Sequence, residues 1–173
     1  MIVAARMVAI VVLGLLLWPE LGRYRAEWLL ADGNARLERV LRGATTGNDA
    51  MHMADAARNE AQRAAVVLVG DPRPILQQSI ALLLQQRGTE AIALLTPAIA
   101  AGERPELTIN LGRARGISGD STGASAAFLR TAWISPAAIA TLPKAMRGDL
   151  LDQVKSLEAD LRNGRLTAAP PLG

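Results

Sequence analysis

The sequence contains no cysteine and a single histidine, His52. Disulfides, a thiol nucleophile and thiolate metal sites are therefore excluded, while the redox compartment stays open. Aromatic residues make up only 3% of the chain, so burial has to rest on Ala, Leu, Ile and Val, many of them good helix formers. An all-helical protein is expected. Lysine is nearly missing too, since only Lys144 and Lys155 stand among the 19 basic residues, and the net charge of +3 is spread without a basic run. Nucleic-acid binding would need a basic stripe on one face, so nucleic acid is not an expected partner.

What the chain does have is one long apolar stretch at its start. Residues 7–18, MVAIVVLGLLLW, carry no charge, and residues 2–5 extend the run beyond Arg6 to 17 residues in total. That is the short limit of a spanning helix, which needs about 17 to 25 residues. Arg6 can snorkel from its position near one end. No A-x-A-like site follows in WPELGRYRAEWLL, so residues 1–18 read as an uncleaved inner-membrane anchor rather than a cleaved signal, with a buried helix of a soluble protein as the third reading. Trp18, Tyr24 and Trp28 suit an interfacial aromatic belt. Arg23, Arg25 and Arg36 against Arg6 and the terminal amine tilt toward a cytoplasmic C-terminal part. Long C-terminal segments translocate largely regardless of such differences, however, and the short segment before the apolar run favours placing the rest of the chain in the periplasm.

Beyond the anchor, Pro19 suits a first helical turn, and residues 19–47 read as a juxtamembrane helix and linker, with a break expected at Asp32-Gly33-Asn34. Asn48 or Asp49 is a candidate cap for a helix running to Val69, whose apolar stripe is Met53, Ala57, Ala61, Ala64 and Leu68. A last helix over 148–163 carries Leu150, Val154, Leu157 and Leu161, and residues 165–173 read as a disordered tail. Met51-His52-Met53 is the one cluster of soft metal ligands, but consecutive helical side chains point about 100° apart and do not converge on an ion. No metal or cofactor is expected.

The stretch GDSTG at 119–123 fits G-x-S-x-G, the turn that presents a nucleophilic serine in many hydrolases. Ser121 lacks the rest of that machinery. The single histidine lies upstream of it, no strand pattern precedes it, and neither lysine is spaced to serve as its base. Gly112, Gly116 and Gly119 also miss the dinucleotide spacing. The chain reads as a non-enzyme, and Asp120 or Ser121 as a helix cap.

The context of GDSTG is a repeat. ILQQSIALLLQQRGTEAIALLTPAIAAGERP and ELTINLGRARGISGDSTGASAAFLRTAWISP align at a separation of 31 residues, with Gly88 over Gly119, Ala93 over Ala124 and Pro105 over Pro136. Each unit reads as a helical hairpin. Leu111-Gly112, Gly119-Asp120, Ala124, Phe128 and Pro136 of the second unit, with Ile80-Ala81, Gly88, Ala93, Ala100 and Pro105 of the first, resemble the tetratricopeptide repeat (TPR). Departures from that pattern fall at Gln77 and Thr108 (a leading aromatic), Leu84 and Arg115 (a tyrosine), Pro97 (an aromatic) and Thr131 (an alanine).

The resemblance implies stacked antiparallel hairpins within a helical domain over 48–164, with units at about 74–105 and 106–136, behind the single N-terminal membrane helix. It also implies an inner face that binds a protein or peptide rather than a small-molecule substrate. Carried over, that face comprises Gln78, Leu82 and Gln85 of the first unit and Ile109, Asn110, Arg113 and Ile117 of the second, with Asn110 and Arg113 exposed side by side for a partner's carboxylate. The expected role is a scaffold or adaptor in a bacterial cell-envelope assembly such as secretion, pilus or polysaccharide export. The alternative is a small structural subunit packed laterally in a larger membrane complex, without a free groove.

Overall fold

The computed structural model describes the backbone of residues 2–173 and, from Leu17 onward, their side chains. Among the described residues the protein is all-α and has no strand. Its helices are α1 (Ile2–Leu41), α2 (Gly47–Val67), α3 (Arg73–Leu84), α4 (Gly88–Ala101), α5 (Pro105–Ile117), α6 (Ser121–Ile134) and α7 (Lys144–Arg162), with a 3-10 segment at Pro136–Thr141. They fall into two compact units, Met1–Gln78 and Ser79–Gly173, so the division lies inside α3 rather than ahead of α2. The proposed membrane span, residues 1–18, lies almost wholly outside the described side chains. No helix among the described residues is long and apolar enough to cross a membrane.

In the N-terminal unit α1 and α2 form a hairpin. Its seam is alanine: Ala50, Ala54, Ala57, Ala61 and Ala64 of α2 are buried, and Ala61 and Ala64 pack against Ala26 and Leu30 of α1. The stripe therefore starts earlier than Met53, which is only half-buried, because methyl-sized side chains let the two backbones approach most closely. Met51 and His52 are exposed. At the start of α2 the cap position is Thr46 rather than Asn48 or Asp49, and no side chain caps it.

No break occurs at Asp32-Gly33-Asn34, and Pro19 lies within α1 instead of opening a helix. Interior glycine costs a helix only about 1 kcal/mol, which packing readily overrides. Here the packing is specific. A Cβ at Gly33 would stand 1.8 Å from Nε2 of Gln77, and that nitrogen donates to the carbonyl of Ala57 at 2.9 Å. The glycine makes room for an amide that crosses from α3.

Beside this contact sits a partly buried charge cluster. Arg36 bonds Asp32 at 2.6 Å and lies 3.3 Å from Glu60 Oε1. Glu60 Oε2 and Gln77 Oε1 are both buried and meet no donor among the described residues. Burial raises the Glu60 pKa above the usual carboxylate value, with Arg36 opposing the shift.

In the C-terminal unit α4 packs on α5, α5 on α6, and α6 on both the 3-10 segment and α7. The repeat is visible as a bond between equivalent positions: Asn110 Nδ2 donates to Ser79 Oγ at 3.1 Å, across a separation of 31 residues. Two departures from the repeat pattern compensate locally. Thr131 Oγ1 lies 2.9 Å from Thr108 Oγ1 and 2.8 Å from the carbonyl of Ala127, so the hydroxyls occupy buried positions without being orphaned.

The C-terminal residues are not a free tail. Arg130 grips Glu103 through two nitrogens, at 2.7 and 2.5 Å, and donates to the carbonyl of Pro170 at 3.0 Å. Arg115 donates to the carbonyls of Leu172 and Gly173. Pro170 is buried. A short, proline-rich sequence without periodicity looks unstructured, and what holds its last residues here is a pair of arginines remote in the chain.

The raised Glu60 pKa carries a definite sign. A carboxyl whose folded pKa lies above its unfolded one contributes stability below the unfolded value, and that contribution is lost as pH rises through the folded value. Glu60→Gln should therefore raise the unfolding midpoint at about pH 7, by on the order of 1 kcal/mol because its amide also supplies a donor. The gain should shrink toward about pH 4. Thermal melts followed by circular dichroism at both pH values check this; a lower midpoint at neutral pH would mean that the Arg36 ion pair outweighs the burial.

Candidate functional site

The residues assigned to the inner face do not line an open groove. Gln78 belongs to the N-terminal unit and is buried. In the C-terminal unit Leu82, Ile109 and Asn110 are buried, while Gln85, Arg113 and Ile117 are partly exposed. Asn110 and Arg113 do lie side by side, but not in the open. Asn110 is 3% exposed, and its Oδ1 accepts from Arg113 Nη1 at 3.0 Å.

The covering element is the 3-10 segment, which the repeat pattern does not include. Ile139 packs with Ile109, Ala132, Leu142, Leu150 and Val154, and Thr141 Oγ1 accepts from Arg113 Nη2 at 2.5 Å. Burial lowers the Arg113 pKa below the usual guanidinium value. Arg113 forms no ion pair with a carboxylate among the described residues. It is therefore a partly buried cation held in a fixed orientation by two neutral acceptors, with further N–H donors to spare.

The GDSTG turn is a helix junction. Gly119 takes the left-handed conformation, φ +84°, that ends α5, and Asp120 caps α6 by accepting from the Gly123 amide at 2.8 Å. Ser121 is the first residue of α6 and is exposed, so of the two candidate caps the aspartate does the capping. In the first unit the left-handed position belongs to Gln86, φ 58°, rather than Gly88. Gly88 is instead a contact point, since a Cβ there would stand 2.6 Å from the carbonyl of Ala114 on α5.

An open cleft of ≈ 390 Å³ lies between α6 and α7. Ala124, Phe128, Met146 and Leu150 supply apolar lining, and Ser121, Ser125, Asp149 and Gln153 supply polar groups. Gly116 reaches it from α5, three residues beyond Arg113 and hence its neighbour on one helix face. The repeat resemblance points to the inner face of the first helices and not to this cleft. Its α7 half has only a weak signal, because Leu150 and Val154 belong to the core while Met146 and Asp149 are turned outward.

Set against family models, curated proteins and solved structures, the chain matches none of them. Asp120→Ala should lower the stability of the C-terminal unit by about 1 kcal/mol through loss of the cap. Ser121→Ala should change it by less than about 0.5 kcal/mol, as an exposed substitution away from caps and core. Urea denaturation of the two variants beside the parent measures both, and a larger loss from Ser121 would reassign the cap.

Proposed function

We propose that the protein is a non-enzymatic scaffold of TPR-like hairpins, anchored to the inner membrane by residues 1–18, which holds a protein or peptide partner in a periplasmic cell-envelope assembly. The observation that carries this reading is the α6–α7 cleft. Apolar lining ringed by hydroxyl, amide and carboxylate groups is the anatomy of a surface that takes up a partner's side chain. Arg113, which lies outside the cleft lining beside Thr141, adds a separate charge preference, because a guanidinium with spare donors and no carboxylate of its own favours an acidic partner residue through charge-assisted bonds. Secretion, pilus and polysaccharide-export machines are the assemblies where a single-pass helical adaptor has such work to do.

A second reading draws on the burial of Leu82, Ile109 and Asn110. With the inner face closed, the chain would be a structural subunit packed laterally within a larger membrane complex, and its cleft would be incidental.

One experiment separates the two. Full-length protein is captured from solubilised membranes beside Ser125→Trp, which fills the cleft from an exposed position, and beside Ser156→Trp, an exposed change on α7 outside the cleft. The scaffold reading expects a discrete partner that is lost with Ser125→Trp and kept with Ser156→Trp. Capture unaffected by either change would favour the lateral subunit.

A further inference from the structure

The hairpin of α1 and α2 has an unusual end. Val67, the last residue of α2, packs beside Gly22, with its Cγ1 3.9 Å from where a Cβ at Gly22 would stand. At that level the unit exposes large apolar side chains from α1, from α2 and from the turn that follows α2. Leu17, Leu21, Tyr24 and Trp28 are 55–73% exposed, and Val66 and Val69 are 79% and 87% exposed.

The exposed residues of α1 follow spacings of four, three and four, so they form one face. Ala26, Leu30 and Leu37 form the opposite, buried face of the same helix. A helix apolar on two opposed faces has two different neighbours, and α2 accounts for only one of them.

Three features identify the other neighbour as lipid. The exposed face is continuous along α1 with the uncharged stretch of residues 7–18. Its large residues include Tyr24 and Trp28, and the exposed Trp18 flanks it, side chains that favour the level of the headgroups because one end is apolar and the other polar. The charges interleaved with it are Glu20, Arg23, Arg25 and Glu27; Glu20 pairs with Arg23 and Glu27 with Arg73, which leaves Arg25, without an ion pair among the described residues, to meet the phosphates of an anionic leaflet. A fixed charge network of Glu27, Asp71 and Arg73 then marks the aqueous side, with Arg73 bonded to Glu27 at 2.6 and 2.8 Å.

We infer that the hairpin end formed by Leu17, Leu21, Tyr24, Val66 and Val69 is a bilayer-contact surface, on which the N-terminal unit stands against the lipid headgroups. The inference rests on the anchor reading and goes beyond it: contact with lipid is not confined to the anchor, because the end of α2 touches the membrane as a second foot. The docked unit is thereby held at one height and one tilt, rather than swinging from a tether.

The absence of native cysteine allows a single nitroxide to be placed without other changes. Full-length Val69→Cys, Val66→Cys and, as a control on α7, Ser156→Cys are spin-labelled and reconstituted into phosphatidylcholine vesicles with and without phosphatidylglycerol. Flotation is measured together with label accessibility to oxygen and to a nickel chelate. The expected result is co-flotation with a several-fold rise in the oxygen-to-nickel ratio at 66 and 69, larger with phosphatidylglycerol, and none at 156. Protein that floats while its label at 69 stays open to nickel would overturn the inference and leave the anchor standing. Protein that does not float would overturn both, and spin–spin broadening at 69 without lipid would identify a second copy as the occupant and overturn the inference.

Discussion

How closely α5 can approach α6 is fixed at Gly112, where a Cβ would stand 2.5 Å from the ring of Phe128. The ring lies where that side chain would be, and the other contacts of the C-terminal unit follow from the spacing it sets. Ala124 and Ala127 can sit buried, Thr108 can reach Thr131, and α7 can pack its Leu150 and Val154 against Ile109, Ala132 and Ile139. The N-terminal unit solves the same problem with other residues, an alanine seam and the Gly33 gap that admits Gln77. In a chain with so few aromatics, twelve of the twenty-four buried apolar residues described are alanines, so the core is built by bringing backbones together rather than by filling space with large side chains.

That mode of packing accounts for what the sequence makes legible. The two hairpins, the GDSTG junction and the contact role of Gly112 all rest on small residues at a fixed period, a local pattern that can be read directly. Reading fails where a residue's neighbour is remote in the chain. Gly33 looks like a breaker because the sequence does not reveal that Gln77 lies against it. Residues 165–173 look free because their order comes from Arg115 and Arg130. The α5 part of the inner face looks open because the 3-10 segment that packs on it, Pro136–Thr141, has no counterpart in the repeat pattern. Asn110 and Arg113 stand side by side but Asn110 is buried, and the α6–α7 cleft is illegible in the repeat pattern because one of its walls comes from outside the repeats.

The functional proposals assign different work to the two units. The N-terminal unit carries an apolar end suited to lipid, and the C-terminal unit carries a cleft and a guanidinium suited to a partner chain. Each follows from a surface whose composition the interior does not require: exposed valines and aromatics cost solubility, and a partly buried arginine without a carboxylate costs desolvation.

Close approach at Gly112 can be measured by a double-mutant cycle with Phe128, because the intrinsic and packing effects have opposite signs. Gly112→Ala should destabilise the protein by about 1 kcal/mol or more when Phe128 is present, since the ring must move. In a Phe128→Ala background the same change should stabilise it by up to about 1 kcal/mol, the helix propensity of alanine over glycine. Gly112→Ala that stabilises the protein equally in both backgrounds would contradict the account, because α5 and α6 would then not be spaced by that glycine.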